Sequence, residues 1–327
     1  MSGHILKKAF LSIGGDSLLR VMNRTPRVFF WHGVDRRVDP NVEQEIFDID
    51  VFQHQIAYLN KHYEIISIEE FENRLLKQQF SGREIVLTFD DGYANNLYVV
   101  APILNKAKLP FTVFVSAEHI ETGQFFPTSV NRIITRGANL NEVSIPSKNL
   151  HFTISTDSEK KRASDEISHL LKTLPVHEVK TITNELISNV SPSEWEELMQ
   201  RYKSVRPMTW DEVKELSGCG ATIGSHCMWH ICCHENQEDK EVEFQLTESK
   251  KQIERHIGKE CRYFAYPNGD YTEFSNNCVL KQYKLGFSTK GVISVLKNNE
   301  LAAVPRIGLP GVLDTFKIVM NLYPKIR

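Results

Sequence analysis

The chain has 327 residues, 41% hydrophobic and 24% charged, with 39 Lys and Arg against 41 Asp and Glu for a net charge of −2. Enough apolar residues are present to build a core, which excludes an intrinsically disordered chain, and the balanced charge leaves no basic field for nucleic acid. Apolar runs such as Phe111-Thr112-Val113-Phe114-Val115 fall far short of the ~18 residues that would suggest a membrane span.

Near the start, Lys7 and Lys8 precede Ala9-Phe10-Leu11-Ser12-Ile13, an apolar run too brief for a signal peptide, so a cytoplasmic location is expected. Residues 1–26 read as a helical segment. An amphipathic helix over 6–22 either packs on the domain or makes a peripheral contact with an anionic membrane surface. From residue 27 to 327 short apolar runs alternate with helical patterns. Val28-Phe29-Phe30-Trp31 leads to a helix near 51–62, Ile85-Val86-Leu87-Thr88-Phe89 to one near 94–107, and residues 111–115 form the next strand. Further strands are expected at 221–224, 263–266, 285–288 and 301–307. β-rich runs that are apolar on both faces and alternate with helices argue for parallel βα units.

Helix starts are marked by Ser67 with Glu70 and Thr209 with Glu212, at capping-box spacing, and by Ser191 followed by Pro192 and Glu194. Val242, Leu246, Ile253 and Ile257 form one stripe of a surface helix over 237–257. Residues 124–206, with helices expected at 159–171 and 176–189, interrupt the alternation and are too long for a plain loop. They read as a helical insertion covering one end of the sheet. The six cysteines include the adjacent Cys232 and Cys233 but no Cys-x-x-Cys, so free thiols are expected rather than a disulfide framework.

Chemistry concentrates after two strands, in Thr88-Phe89-Asp90-Asp91-Gly92 and in Ser225-His226-Cys227-Met228-Trp229-His230. In a closed parallel barrel these strand ends open onto one face. His226 and His230 are four apart, so on a helical turn both rings point the same way and can share a metal. With a carboxylate as third ligand, a position stays open for water, as in catalytic zinc sites. Of two adjacent aspartates, one can ligate while the other takes a proton. Singly, such a histidine pair is often surface decoration and Asp-Asp-Gly plain turn chemistry; their joint position at strand ends favours a site.

In order, the Thr-Phe-Asp-Asp-Gly run, Ser225-His226-x-x-x-His230 and Phe264-Ala265-Tyr266-Pro267-Asn268-Gly269 resemble the leading motifs of the polysaccharide deacetylase family. This is also called the NodB-homology or carbohydrate esterase 4 family. The resemblance implies a distorted (β/α) barrel of about seven parallel strands. It also implies metal-dependent removal of acetyl groups from N-acetylated sugars of a glycan or glycan precursor, as in surface-polysaccharide biosynthesis. Asp90 would be the general base, and Asp91, His226 and His230 would hold a divalent metal, zinc above all. A backbone N–H near Asn268 would stabilise the oxyanion.

The chain departs from better-known relatives in three places. Ala265 stands where they carry an arginine that orients the base, and Arg262 or Arg306 is left to substitute. Pro305-Arg306-Ile307 occupies the place of their general-acid histidine. However, Trp31-His32-Gly33-Val34 resembles the Tyr-His-x-Val of a subgroup that includes biofilm-polysaccharide deacetylases, and His32 would supply the acid, unless it is simply a buried, hydrogen-bonded histidine. Cys227 replaces a usual threonine. The rival readings are an amidase or O-acetyl esterase of the same fold, and a non-catalytic glycan-binding module. The full Asp-Asp-His-His set argues against the last.

Overall fold

β-branched and aromatic runs form strands close to where they are expected. These are β1 Arg27–Trp31, β2 Glu84–Phe89, β3 Thr112–Val115, β4 Thr222–Ser225, β5 Tyr263–Ala265, β6 Leu285–Ser288, β7 Val304–Pro305 and β8 Ile307–Gly308. The structure, a computed structural model, describes residues 25–36, 38–290, 301–311 and 316. The helix expected at 6–22 lies outside the described residues. Among them no helix is long and apolar enough to cross a membrane.

The eight strands pair in parallel in the order β7-β6-β5-β4-β3-β2-β1-β8. Only Arg306 separates β7 from β8, so one short segment holds both ends of the sheet: Val304 pairs with Phe287, and Ile307 with Phe29. The result is a nearly closed, distorted (β/α) barrel. The single closing strand expected at 301–307 is split at Arg306, the residue that turns its side chain inward.

Alternation along the strands sorts the side chains into two buried layers. Val28, Val86, Phe114, Tyr263, Ala265, Leu285, Phe287 and Val304 fill the barrel, and Ile66, Ile68 and Phe71 plug it. The plug lies at the N-terminal end, because Glu64 and Ile65 pair with Glu84 and Ile85 at the start of β2. Phe29, Trp31, Leu87, Phe89, Val113, Ile223 and Phe264 face outward into the layer beneath the helices. On the barrel these are α1 Ile49–His62, α2 Ile68–Lys77, α3 Ala101–Lys106, α4 Ala117–Thr122, and later α9 Trp210–Gly218, α10 Asp239–Ile257 and α11 Glu273–Gln282. Asp48 and Ser67 cap α1 and α2, and Thr209 with Glu212 makes a full capping box on α9.

The insertion contains α5 Pro127–Arg132, α6 Asp157–Thr173, α7 Val176–Ile187 and α8 Pro192–Arg201. It also holds an antiparallel hairpin, Glu142–Ile145 with Leu150–Thr153, where polar connections are expected. Its strands are short, and they alternate buried Val143, Ile145 and Phe152 with exposed Glu142, His151 and Thr153. The insertion has its own apolar cluster, around Ile133, Ile134, Val143, Ile167, Ile182 and Leu186. It returns to the barrel beside the Asp-Asp-Gly turn, where Ala94 N–H donates to Arg206 O and Met208 N–H to Gly92 O.

Candidate active site

Asp90 and Asp91 follow β2, at the C-terminal mouth of the barrel. The strand ends in a tight turn: Gly92 N–H returns to Asp90 O at 2.9 Å, and φ is 71° at Asp91 and 76° at Gly92. A Cβ on Gly92 would lie 2.8 Å from Val115 Cγ1, so glycine is needed both for the backbone and for the close approach. Asp91 takes the left-handed conformation without that freedom, a strain of the kind that clusters at functional sites. The turn aims the two carboxylates differently.

Asp90 is gripped from inside the barrel. Both of its oxygens accept from Arg306, Nη1 to Oδ1 and Nη2 to Oδ2, each at 2.7 Å. Arg306 also donates to Thr88 Oγ1 at 3.1 Å, and its guanidinium lies over the rings of Phe30 and Phe114 at 4.9 and 5.3 Å. Burial alone would raise the Asp90 carboxyl. The Arg306 charge outweighs it, and Asp90 is held below its ordinary value. The fork also fixes the orientation of the carboxylate.

The other expected arginine lies elsewhere. Arg262 donates from Nη2 to both oxygens of Glu72 on α2, each at 2.9 Å. In a parallel barrel the residue before β5 sits at the N-terminal face, while Asp90 follows the end of β2. At ~3.3 Å of rise per residue, position 262 starts from the wrong end. Arg306, inside the closing segment, reaches the carboxylate from between the rings of Phe30 and Phe114.

Asp91 faces the histidines. Its Oδ1 is 3.2 Å from His230 Nε2 and 3.6 Å from His226 Nε2, and the three ligand atoms lie within 4.8 Å of one another. Bonds of ~2.0–2.2 Å in a tetrahedral metal site place ligand atoms ~3.3–3.6 Å apart, so the two Asp91–histidine spacings fit a divalent ion. Asp91 Oδ1 is buried without a well-aligned hydrogen bond, a cost that an ion would remove. Against burial, the charge of His230 keeps the Asp91 carboxyl well below the usual range. Burial pushes His226 down to about 4, which leaves its ring neutral. Its Nδ1 donates to Ala265 O at 2.7 Å, so Nε2 presents its lone pair toward Asp91.

The histidine pair is not on a helical turn, as the spacing suggests. Residues 226–230 form an irregular loop with φ of 65° at Cys227 and 52° at His230. The rings are brought to a centroid distance of 4.9 Å by that loop rather than by helix periodicity.

His32 follows β1, is half-buried, and lines the same cavity of about 290 Å³ as Asp90, Asp91, His226 and His230. Its charge contributes to lowering both aspartates, and its carbonyl is held by Asn96 Nδ2 at 2.9 Å. Asn268 lines the opposite wall with φ of 56°. In its motif the N–H groups of Tyr266, Gly269 and Asp270 bond to Phe287, Tyr266 and Pro267 carbonyls, and Pro267 has none. The Asn268 amide is therefore the candidate donor to an incoming oxyanion.

Several wall residues were not singled out from sequence. Pro127, Thr128, Leu171, Lys172 and Val179 of the insertion line the cavity, and Phe126 packs edge-on against His230 at 5.3 Å. All but Phe126, which precedes α5, occupy ordinary helix positions, and none carries a local signal. Thr88 lies within a quoted motif, yet its bond to Arg306 is visible only in three dimensions. Cys232 also lines the cavity, but burial pushes its thiol up to about 12, which disfavours a thiolate ligand. All six cysteines are free.

A buried carboxylate fixed by an arginine beside an Asp-His-His cluster, at the C-terminal mouth of a parallel barrel, is an arrangement suited to a hydrolase. A family model for polysaccharide deacetylases matches residues 77–181 and 165–288, more than half of the chain. The chain belongs to the polysaccharide deacetylase family and is an N-deacetylase hydrolase. Among solved structures it is similar to the Streptococcus pyogenes deacetylase PplD in complex with acetate, with a TM-score of 0.60 and 16% identity over 91% of this chain and 98% of that one. It is also similar to IcaB from Ammonifex degensii, with a TM-score of 0.57 and 16% identity over 90% and 95%. A third likeness is to the polysaccharide deacetylase BC0361 from Bacillus cereus, with a TM-score of 0.55 and 14% identity over 91% and 68%. These likenesses show the fold. No curated protein sequence matches the chain.

Proposed function

We propose that the protein removes acetyl groups from N-acetylated sugars of a glycan or glycan precursor, with a divalent metal held by Asp91, His226 and His230. The observation that carries this reading is the division of labour between adjacent aspartates: Asp90 is tied to Arg306, while Asp91 Oδ1 faces both histidines. Zinc suits the donor set, and when bound it supplies a water of pKa ~7 and polarises the acetamide carbonyl. Asp90, oriented by Arg306, takes a proton from the attacking water. The Asn268 amide donates to the developing oxyanion, and His32 delivers a proton to the departing amine. The similar Streptococcus pyogenes structure holds acetate, the acid released by deacetylation. A substrate from surface-polysaccharide assembly fits this chemistry.

The test is product analysis on an N-acetylated oligosaccharide. Free amine and acetate are expected in equal amounts, lost on chelation and restored by Zn²⁺. Activity that survives complete metal removal contradicts the metal's part. Hydrolysis confined to O-acetylated substrates, with free hydroxyl as product, contradicts the amide reading.

A further inference from the structure

The stripe of α10 that faces the barrel is not purely apolar. Beside Val242, Leu246 and Ile253 it buries Gln245 and Ser249, which are 1% and 0% exposed. A buried amide is costly unless its polar atoms are paired, and both ends of Gln245 are. Oε1 accepts from the Met228 amide at 3.1 Å and the Trp229 amide at 2.8 Å, while Nε2 donates to Glu241 Oε1 at 2.7 Å. One turn along, Ser249 Oγ bonds Ser225 Oγ at 2.7 Å, immediately before His226. The polar interruptions of the stripe thus meet the segment that carries the histidines.

Met228 and Trp229 lie between those histidines, in a loop that belongs to no helix or strand and has positive φ at Cys227 and His230. On its other side, the Ala117 and Glu118 amides at the start of α4 donate to Cys227 and Met228 carbonyls at 3.2 and 3.0 Å. The loop is clamped between two helices, and Gln245 binds two of the three amides between the histidines.

We propose that Gln245 is a positioning residue that sets His230 against His226 and so tunes the affinity of the metal site. It touches neither ion nor substrate. The inference rests on the metal site proposed above. Partners that orient ligands in this way are typically worth about 10- to 100-fold in metal affinity.

The experiment measures Zn²⁺ affinity of the full chain by competition with a chromophoric chelator, together with the visible spectrum of the Co²⁺-loaded protein. Gln245→Leu is expected to weaken Zn²⁺ binding about tenfold or more and to shift the Co²⁺ bands. The paired change Gln245→Glu with Glu241→Gln restores an acceptor for both amides and a partner for it, and should bring affinity and spectrum back. Unchanged binding and spectrum in Gln245→Leu overturn the proposal, as does a loss that the paired variant fails to recover. If Gln245→Leu does not fold, Gln245→Asn, too short to reach both amides, decides by the same readouts. Wild-type protein that binds no Zn²⁺, or whose binding survives His230→Ala, refutes the metal site itself and this inference with it.

Discussion

Inside the barrel, Arg306, Asp90 and Thr88 are buried among aromatic rings, whereas the cluster in the insertion is built on Ile133, Val143, Ile167 and Leu186. Both regions exclude water, but with different consequences. A buried ion pair is a poor source of stability compared with apolar packing. In the barrel the pair holds a carboxylate in place at its mouth. The insertion carries none of the proposed base, acid or metal ligands. It contributes Phe126 behind His230 and the walls around Leu171, Lys172 and Val179. The proposed chemistry lies at the ends of barrel strands, and the insertion supplies part of the cavity wall.

That contrast is broken most severely at Arg306. Arg306→Met leaves Asp90 buried without its partner and is expected to cost ~3–5 kcal/mol in urea unfolding. Arg262→Met, at a pair whose arginine is 38% exposed and whose Glu72 keeps the Tyr263 hydroxyl as a donor, should cost clearly less. Similar losses for both would mean that Arg306 has no special place. Arg306→Lys sharpens the point through pH. Arg306 favours the ionised form of Asp90 against burial, so weakening the fork lets burial raise the carboxyl. The acid limb of kcat/KM should therefore move to higher pH, and a limb that stays or moves lower contradicts the assignment.

Asp90→Asn removes the base but leaves Asp91 and the histidines. Metal content should persist while turnover falls at least ~10²-fold. Loss of metal from Asp90→Asn, with retention in Asp91→Asn, would mean that the two aspartates have exchanged roles. A smaller and more selective effect is expected for His32→Ala. An amine is a poor leaving group unless protonated, whereas an activated aryl alcohol is not. Amide hydrolysis should drop well beyond ester hydrolysis, with metal bound normally. Equal losses on both substrates would reduce His32 to a structural part. The smallest effects belong to the insertion, where Leu171→Ala and Val179→Ala should shift KM by a few-fold with kcat nearly unchanged, as expected for contacts made equally before and during reaction. A fall in kcat without a change in KM would move the insertion into the chemistry.

Much of this site is legible in sequence because it is written locally. Asp90-Asp91-Gly92 and the His226, His230 pair each follow one strand, and parallel strands put their ends on one face whatever the details of packing. Arg306 is harder. Arg262, three residues before the missing position, and Arg306, in Pro305-Arg306-Ile307, are both candidates in sequence, and only the direction of β5 and the closing role of 304–308 separate them. The helical turn expected at 226–230 fails because the loop is shaped by non-glycine residues with positive φ and by partners on α4 and α10, outside the motif itself. The hairpin in the insertion is not legible in sequence because strands of four residues show too little alternation to stand out from polar connections. Leu171 and Val179 look like any helix residues until the fold lays them over the barrel.

Anomalous scattering from zinc-loaded crystals tests the site most directly. One strong peak is expected ~2.0–2.2 Å from Asp91 Oδ1, His226 Nε2 and His230 Nε2, with the Asp90 carboxylate still bound by Arg306. A peak ligated by Asp90 in place of Asp91, or zinc bound elsewhere with this triad empty, would contradict it.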